Sequence, residues 1–123
     1  VPADTPLIPQ PEATPEALRE AVSVLAPERL GEFHRDLSRA EADQRASPGM
    51  QPMQVFSAKW SQFAALHRFP ERSERMRRLE ASLGREADPA KSLEAIRAIS
   101  DLLAEVDAEL NARGARSAQP NTH

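Results

Sequence analysis

From Thr14 to Leu110 the apolar residues recur at helical steps, and the recurrence is interrupted at prolines. A proline at the first helical position loses nothing, because its missing N–H would have had no intrahelical partner, so each of these prolines predicts a helix start. Thr14-Pro15 opens helix 1, with Leu18, Val22 and Leu25 on one face. Ala26-Pro27-Glu28 opens helix 2, where Leu30, Phe33, Leu37 and Ala40 follow the same spacing. Ala26 has no side chain able to cap, so this junction reads either as a tight turn or as a kink in one longer helix. The segment from Ala46 through Ser47, Pro48, Gly49, Met50 and Gln51 to Pro52 breaks the period and predicts a loop. Helix 3, from about Pro52 to Arg68, carries Met53, Phe56, Trp60, Phe63 and His67 as a narrow seam and is the expected central core helix. Phe69-Pro70 ends it, since a residue before proline is pushed out of the α region. Helix 4 is expected over 70–83, with Met76, Leu79 and Leu83 inward and Gly84 as the glycine just past its end. Asp88-Pro89 starts helix 5, whose Leu93, Ile96, Ile99, Leu103, Val106 and Leu110 form a near-heptad stripe, while Val24 and Leu102 sit outside the stripes.

No stretch alternates long enough to predict a strand. The expected fold is therefore all-α, a small four- to five-helix bundle over residues 14–110. Residues 1–13 hold Pro2, Pro6, Pro9 and Pro11 and predict a flexible, disordered, proline-rich arm. Residues 111–123 have no periodic apolar positions and predict a disordered tail.

Composition narrows the chemistry. The 123 residues contain no cysteine, which removes disulfides, thiolate nucleophiles and cysteine-ligated metals, and no tyrosine. Five aromatics are too few for an aromatic-fed sheet. Mean hydropathy is −0.57, and no run approaches the roughly 20 apolar residues of a membrane span. The arm lacks the basic and apolar blocks of a secretory signal, which leaves the cytoplasm as the expected compartment. The three histidines, His34, His67 and His123, have no partner at metal-ligand spacing, and neither Glu-x-x-His nor His-Glu-x-x-His occurs. Glycines 31, 49, 84 and 114 are too far apart for a phosphate loop, and no serine sits in a Gly-x-Ser-x-Gly elbow. The chain is expected to be non-enzymatic, without a catalytic, metal or cofactor site.

Charge changes the picture more than composition does. The net charge of −3 conceals a basic segment followed by an acidic one. Arg68, Arg72, Arg75, Arg77, Arg78 and Arg85 stand against Glu71, Glu74 and Glu80, whereas Glu86, Asp88, Glu94, Asp101, Glu105, Asp107 and Glu109 stand against Lys91 and Arg97. The plain expectation is a basic helix 4 packed beside an acidic helix 5, with Glu71–Arg75 and Glu74–Arg78 as i,i+4 pairs. The sharper one gives Arg68, Arg72, Arg75 and Arg78 to an acidic partner or to phosphates. A helix-turn-helix across Arg68-Phe69-Pro70 would need Asn, Gln or Ser among the arginines of helix 4, which offers only Ser73 near its start.

The string Pro6-Leu7-Ile8-Pro9, then Thr14-Pro15-Glu16-Ala17-Leu18-Arg19-Glu20-Ala21-Val22, Ala26-Pro27 and Leu30 to Phe33, resembles the opening of a family of small all-helical actinobacterial proteins of unknown function. Phe56, Trp60, Arg68, Pro70-Glu71 and Leu79-Glu80 are similar to its second block, and Asp88-Pro89 with Ala95-Ile96-Arg97 to its third. The likeness spans roughly residues 6 to 110. It implies a compact helical protein of the size of antitoxins and small regulatory partners, and it transfers no site residues.

An aromatic-poor, alanine-rich bundle of this size is expected to lean on a partner. The reading that follows is a protein–protein interaction module, antitoxin-like or regulatory. It would bind another protein or a second copy of itself through Ile96, Ile99, Leu103, Val106 and Leu110. The alternative is a DNA-associated transcriptional regulator using the arginine-rich helix 70–83. A ligand pocket lined by Trp60 and Phe63 is the least favoured reading.

Overall fold

The computed structural model describes residues 5–118, with side chains described as far as residue 113. Five helices account for it: α1 Pro15–Leu25, α2 Leu30–Ala46, α3 Pro52–His67, α4 Pro70–Arg85 and α5 Pro89–Ala118. The described residues contain no strand, so the all-α class holds.

The helix starts follow from the prolines. Thr14 takes an extended conformation and its Oγ1 accepts from the Ala17 N–H at 3.2 Å, a side-chain cap directly before Pro15. Phe69 is extended at φ −102°, ψ 112°, as the residue before a proline should be. Asp88 caps α5 through Oδ1, which accepts from the Ala90 N–H at 3.0 Å. The junction between α1 and α2 is a turn. Ala26, at φ −156° and ψ 74°, leaves the helical region, and Pro27–Arg29 form one short 3₁₀ turn before α2 begins at Leu30. Helices 1 and 2 are thus separate.

Packing falls into two clusters that share α3. The first joins Leu18 and Val22 of α1, Phe33 and Ala40 of α2, and Phe56 and Trp60 of α3, with Leu30, Leu37, Met53 and Phe63 against it. Phe33 lies 5.2 Å from both Phe56 and Trp60 between ring centroids, in tilted and edge-on geometries that suit aromatic quadrupoles. The second joins Ala65 and Leu66 of α3, Met76 of α4, and Leu102 and Val106 of α5. The aromatic seam is therefore central as expected, but it is only one side of α3. Ala64, Ala65 and Leu66 are buried as well, so the end of this helix is enclosed nearly all round. Neither α1 nor α2 packs against α4 or α5.

Three sequence expectations need correction. Leu102, left outside the stripes, is fully buried, because the face that α5 turns to α3 and α4 is Ala95, Ile99, Leu102 and Val106. Gly84 does not terminate α4: no described glycine has positive φ, and the helix runs one residue further before Glu86 turns extended. α5 continues through Ala118 instead of ending at Leu110, while residues 119–123 of the expected tail, His123 among them, lie outside the described residues. The arm also differs from expectation. Residues 1–4 lie outside the described residues, but Ile8, Gln10 and Pro11 are half-buried against the helices.

Truncating Phe33 removes the ring that both Phe56 and Trp60 pack on. Phe33→Ala is expected to lower the unfolding free energy by about 3–5 kcal/mol, read as a drop in the urea midpoint without loss of slope.

Candidate functional site

The candidate partner residues divide when placed on the fold. Val106 is fully buried in the second cluster and belongs to the core, which corrects its assignment to a partner surface. Ile99, Leu103 and Leu110 are half-buried at the edge of the same cluster. Ile96 remains 46% exposed and Leu93 47%. The reason is geometric. α5 has 30 residues, about 45 Å of helix, against 16 each for α3 and α4. Its contacts with α3 are made around Leu102 and Val106 and at Asp107, whose Oδ1 accepts from Gln62 Nε2 at 2.9 Å, so around Leu93 and Ile96 the helix buries Ala95 but leaves this flank open. Ile96, Leu103 and Leu110 recur every seven residues along one flank of the buried face.

The arginines proposed for phosphate or an acidic partner meet carboxylates of the same chain. Arg68 Nη2 donates to Glu109 Oε1 at 3.0 Å, and Arg72 Nη2 donates to Glu109 Oε2. Arg75 lies 3.8 Å from Glu105, and Arg77 and Arg78 both pair with Glu74. The basic helix does pack beside the acidic one, and the pairing expected for Glu71 goes to Glu105 of α5. Arg68 is only 6% exposed. Its guanidinium and that of Arg72 lie 4.4 and 4.5 Å from the Phe69 ring centroid, a cation–π arrangement that covers their flat faces. Arg72 Nη1 also donates to the Ala65 carbonyl at 3.0 Å, satisfying one of the open acceptors at the end of α3.

Glu109 is the anion of this cluster. Burial raises its pKa, but the hydrogen bonds and charges of Arg72 and Arg68 outweigh burial and hold it below the usual carboxylate value. The sequence showed Glu109 only as one of seven acids. Nothing in its spacing marks it, because its partners are 37 and 41 residues away.

The arm completes the cluster. The Leu7 N–H donates to the Arg68 carbonyl at 2.7 Å, Arg68 Nη1 donates to the Ile8 carbonyl at 3.3 Å, and Gln10 Nε2 donates to the Ser61 carbonyl at 3.2 Å. A hollow of about 640 Å³ lies beside it, between Gln10, Pro11, Ser61, Asp107 and Leu110.

Trp60 has no free face for a ligand. It is fully buried, Phe63 closes on it at 5.1 Å between centroids, and its Nε1–H donates to Asp36 Oδ2 at 3.1 Å. Lys59 Nζ donates to the same oxygen at 2.6 Å and to Glu32 at 3.1 Å, while Arg29 reaches Glu32 at 2.8 Å. The Arg29 hydrogen bond and Lys59 lower the pKa of Glu32, and the Asp36 and Glu32 bonds raise that of Lys59.

His67, at the end of α3, shares a 2.8 Å hydrogen bond between Nδ1 and Ser73 Oγ and lies 4.4 Å from Phe63. The pair ties α3 to the first turn of α4. Burial, then the charges of Arg29 and Arg77, depress its pKa against a smaller pull from Glu28. His34 is exposed beside Phe33. Among the described residues no group of three or more His, Asp or Glu side chains is placed to hold a metal ion, and no helix is long and apolar enough to cross a membrane.

Comparison with protein-family models, curated proteins and solved structures returned no match.

Two pH dependences follow. Because the folded-state pKa of Glu109 is lowered, its contribution to stability is complete above the carboxylate's ordinary 4.5 and is lost as pH falls through the lower folded value. Glu109→Gln is expected to cost about 2 kcal/mol at neutral pH, and the gap from wild type should narrow in urea titrations repeated below pH 4.5. His67 is likewise depressed, so folding binds its proton less well than the unfolded chain does. Stability is expected to fall as pH drops below 6.5, and His67→Gln should flatten that slope.

Proposed function

We propose that the chain is a non-enzymatic helical interaction module, an antitoxin-like or regulatory subunit that binds a partner protein through α5. The observation that carries this is the flank of α5 beyond its contacts with α3, where Leu93 and Ile96 are about half exposed and continue the line of Leu103 and Leu110. Apolar side chains at helical spacing on an uncovered helix are what a second helix packs against, whether from another protein or from a second copy. The contact residues are Leu93, Ile96, Ile99, Leu103 and Leu110, with Val106 behind them in the core. Arg97, one turn beyond Leu93, and Asp107, one turn beyond Leu103, border the surface with charges of both signs. The resemblance to small helical actinobacterial proteins of unknown function agrees in size and helical character with this reading. The DNA-binding alternative loses Arg68 and Arg72, which Glu109 engages, and keeps only the more exposed Arg75, Arg77 and Arg78, themselves paired with Glu105 and Glu74.

The test is affinity purification of the tagged full chain from its native cells, with sedimentation of the pure protein. Wild type is expected to recover one specific protein or to self-associate, and Ile96→Glu to weaken that association by about tenfold or more while keeping the wild-type unfolding midpoint. A stable monomer that recovers no protein sinks the reading.

A further inference from the structure

α1 and α2 make no packing contact with α4 or α5, so the two halves of the molecule meet on α3. A second connection runs along the outside of that helix to its C-cap, Arg68. The described part of the arm runs from the start of α1 past Ala17, Glu20 and Ala21 and over Ser61 of α3 to Arg68, the residue that α5 holds through Glu109. Arg68 grips the arm with both ends of itself: its backbone carbonyl takes the Leu7 N–H, and its guanidinium gives a hydrogen bond to the Ile8 carbonyl. The same guanidinium is fixed from the far side by Glu109.

We infer that residues 7–10 form a latch that holds the α4–α5 hairpin against α3, with Arg68 as its catch. Three observations make it a releasable connection and not just a packed terminus. Its polar contacts go mostly to main-chain groups and its apolar cover is partial: Leu7 is 63% exposed while Ile8 and Pro11 are half-buried. Two buried polar atoms at the seat, Gln10 Oε1 and Arg68 Nε, have no hydrogen-bond partner among the described residues, which weakens the docked arrangement. The donor that meets the Ile8 carbonyl is the guanidinium that Glu109 of α5 orients, so arm docking and hairpin docking favour each other and the coupling is reciprocal. By setting how α5 is held, the latch sets the conformation in which the Leu93–Ile96 flank is offered, a step that rests on the reading of α5 as a partner surface.

The experiment is hydrogen exchange followed by mass spectrometry on the full chain alone, which reads the latch independently of any partner. Leu7→Pro deletes the N–H that Arg68 accepts and lies on the exposed arm, where it does not threaten folding. It is expected to speed exchange about fivefold or more in residues 72–85 and 95–110, the low end of ordinary coupling, and to leave α1 and α2 as in wild type. In the reverse direction, Glu109→Gln loosens the guanidinium that holds the Ile8 carbonyl and is expected to speed exchange of the Leu7 amide about fivefold. If Leu7→Pro changes exchange in the arm only, or speeds all five helices equally, the latch is overturned. A Leu7 exchange rate unchanged from wild type in Glu109→Gln overturns the role of the Arg68 guanidinium as the catch. A chain that passes both tests yet binds no partner leaves the latch standing and removes the α5 reading.

Discussion

Helix α3 is enclosed by α1 and α2 around Phe56 and Trp60 and by α4 and α5 around Ala65 and Leu66, so a single helix serves two apolar clusters. This double burial explains its composition. The side facing α1 and α2 carries aromatics, which fill the wide space between three helices. The end facing the hairpin carries alanines, which let α5 approach closely. It also explains why three polar groups of α3 find partners within the chain. The Trp60 indole N–H, the Ala65 carbonyl and the Ser61 carbonyl all lie where water is scarce, and Asp36, Arg72 and Gln10 supply their partners.

Around that helix the charges are arranged by need and not by sign alone. Arg68 could not be buried unless a carboxylate met it, and Glu109 does so from the other half of the molecule. The alternation of a basic and an acidic helix thereby becomes an internal feature of the hairpin. The flank of α5 that outruns α3 stays apolar beside exposed charges such as Arg77 and Arg78, which pair with Glu74 of their own helix.

The arm and the hairpin belong to this same arrangement. Each touches α3 at the end where the helix is most enclosed, and each uses Arg68. The position joins the last turn of α3, the first residues of α4, α5 and the arm, so a change at any one of them is felt through one guanidinium.

The sequence by itself determined the local structure. Prolines 15, 52, 70 and 89 set four helix starts because a missing N–H is free only there, and the aromatic seam of α3 identified the central helix because its period matches the helical turn. It also determined that a basic helix precedes an acidic one. Only the tertiary structure decided which face of α5 is buried. The apolar stripe there is wider than the surface available to cover it, so spacing alone placed Val106 outside and overlooked Leu102. It alone decided that the arm docks and that Glu109 is the anion for Arg68 and Arg72. Those contacts join residues tens of positions apart, and hydrogen bonds to main-chain groups leave no pattern of side chains to read.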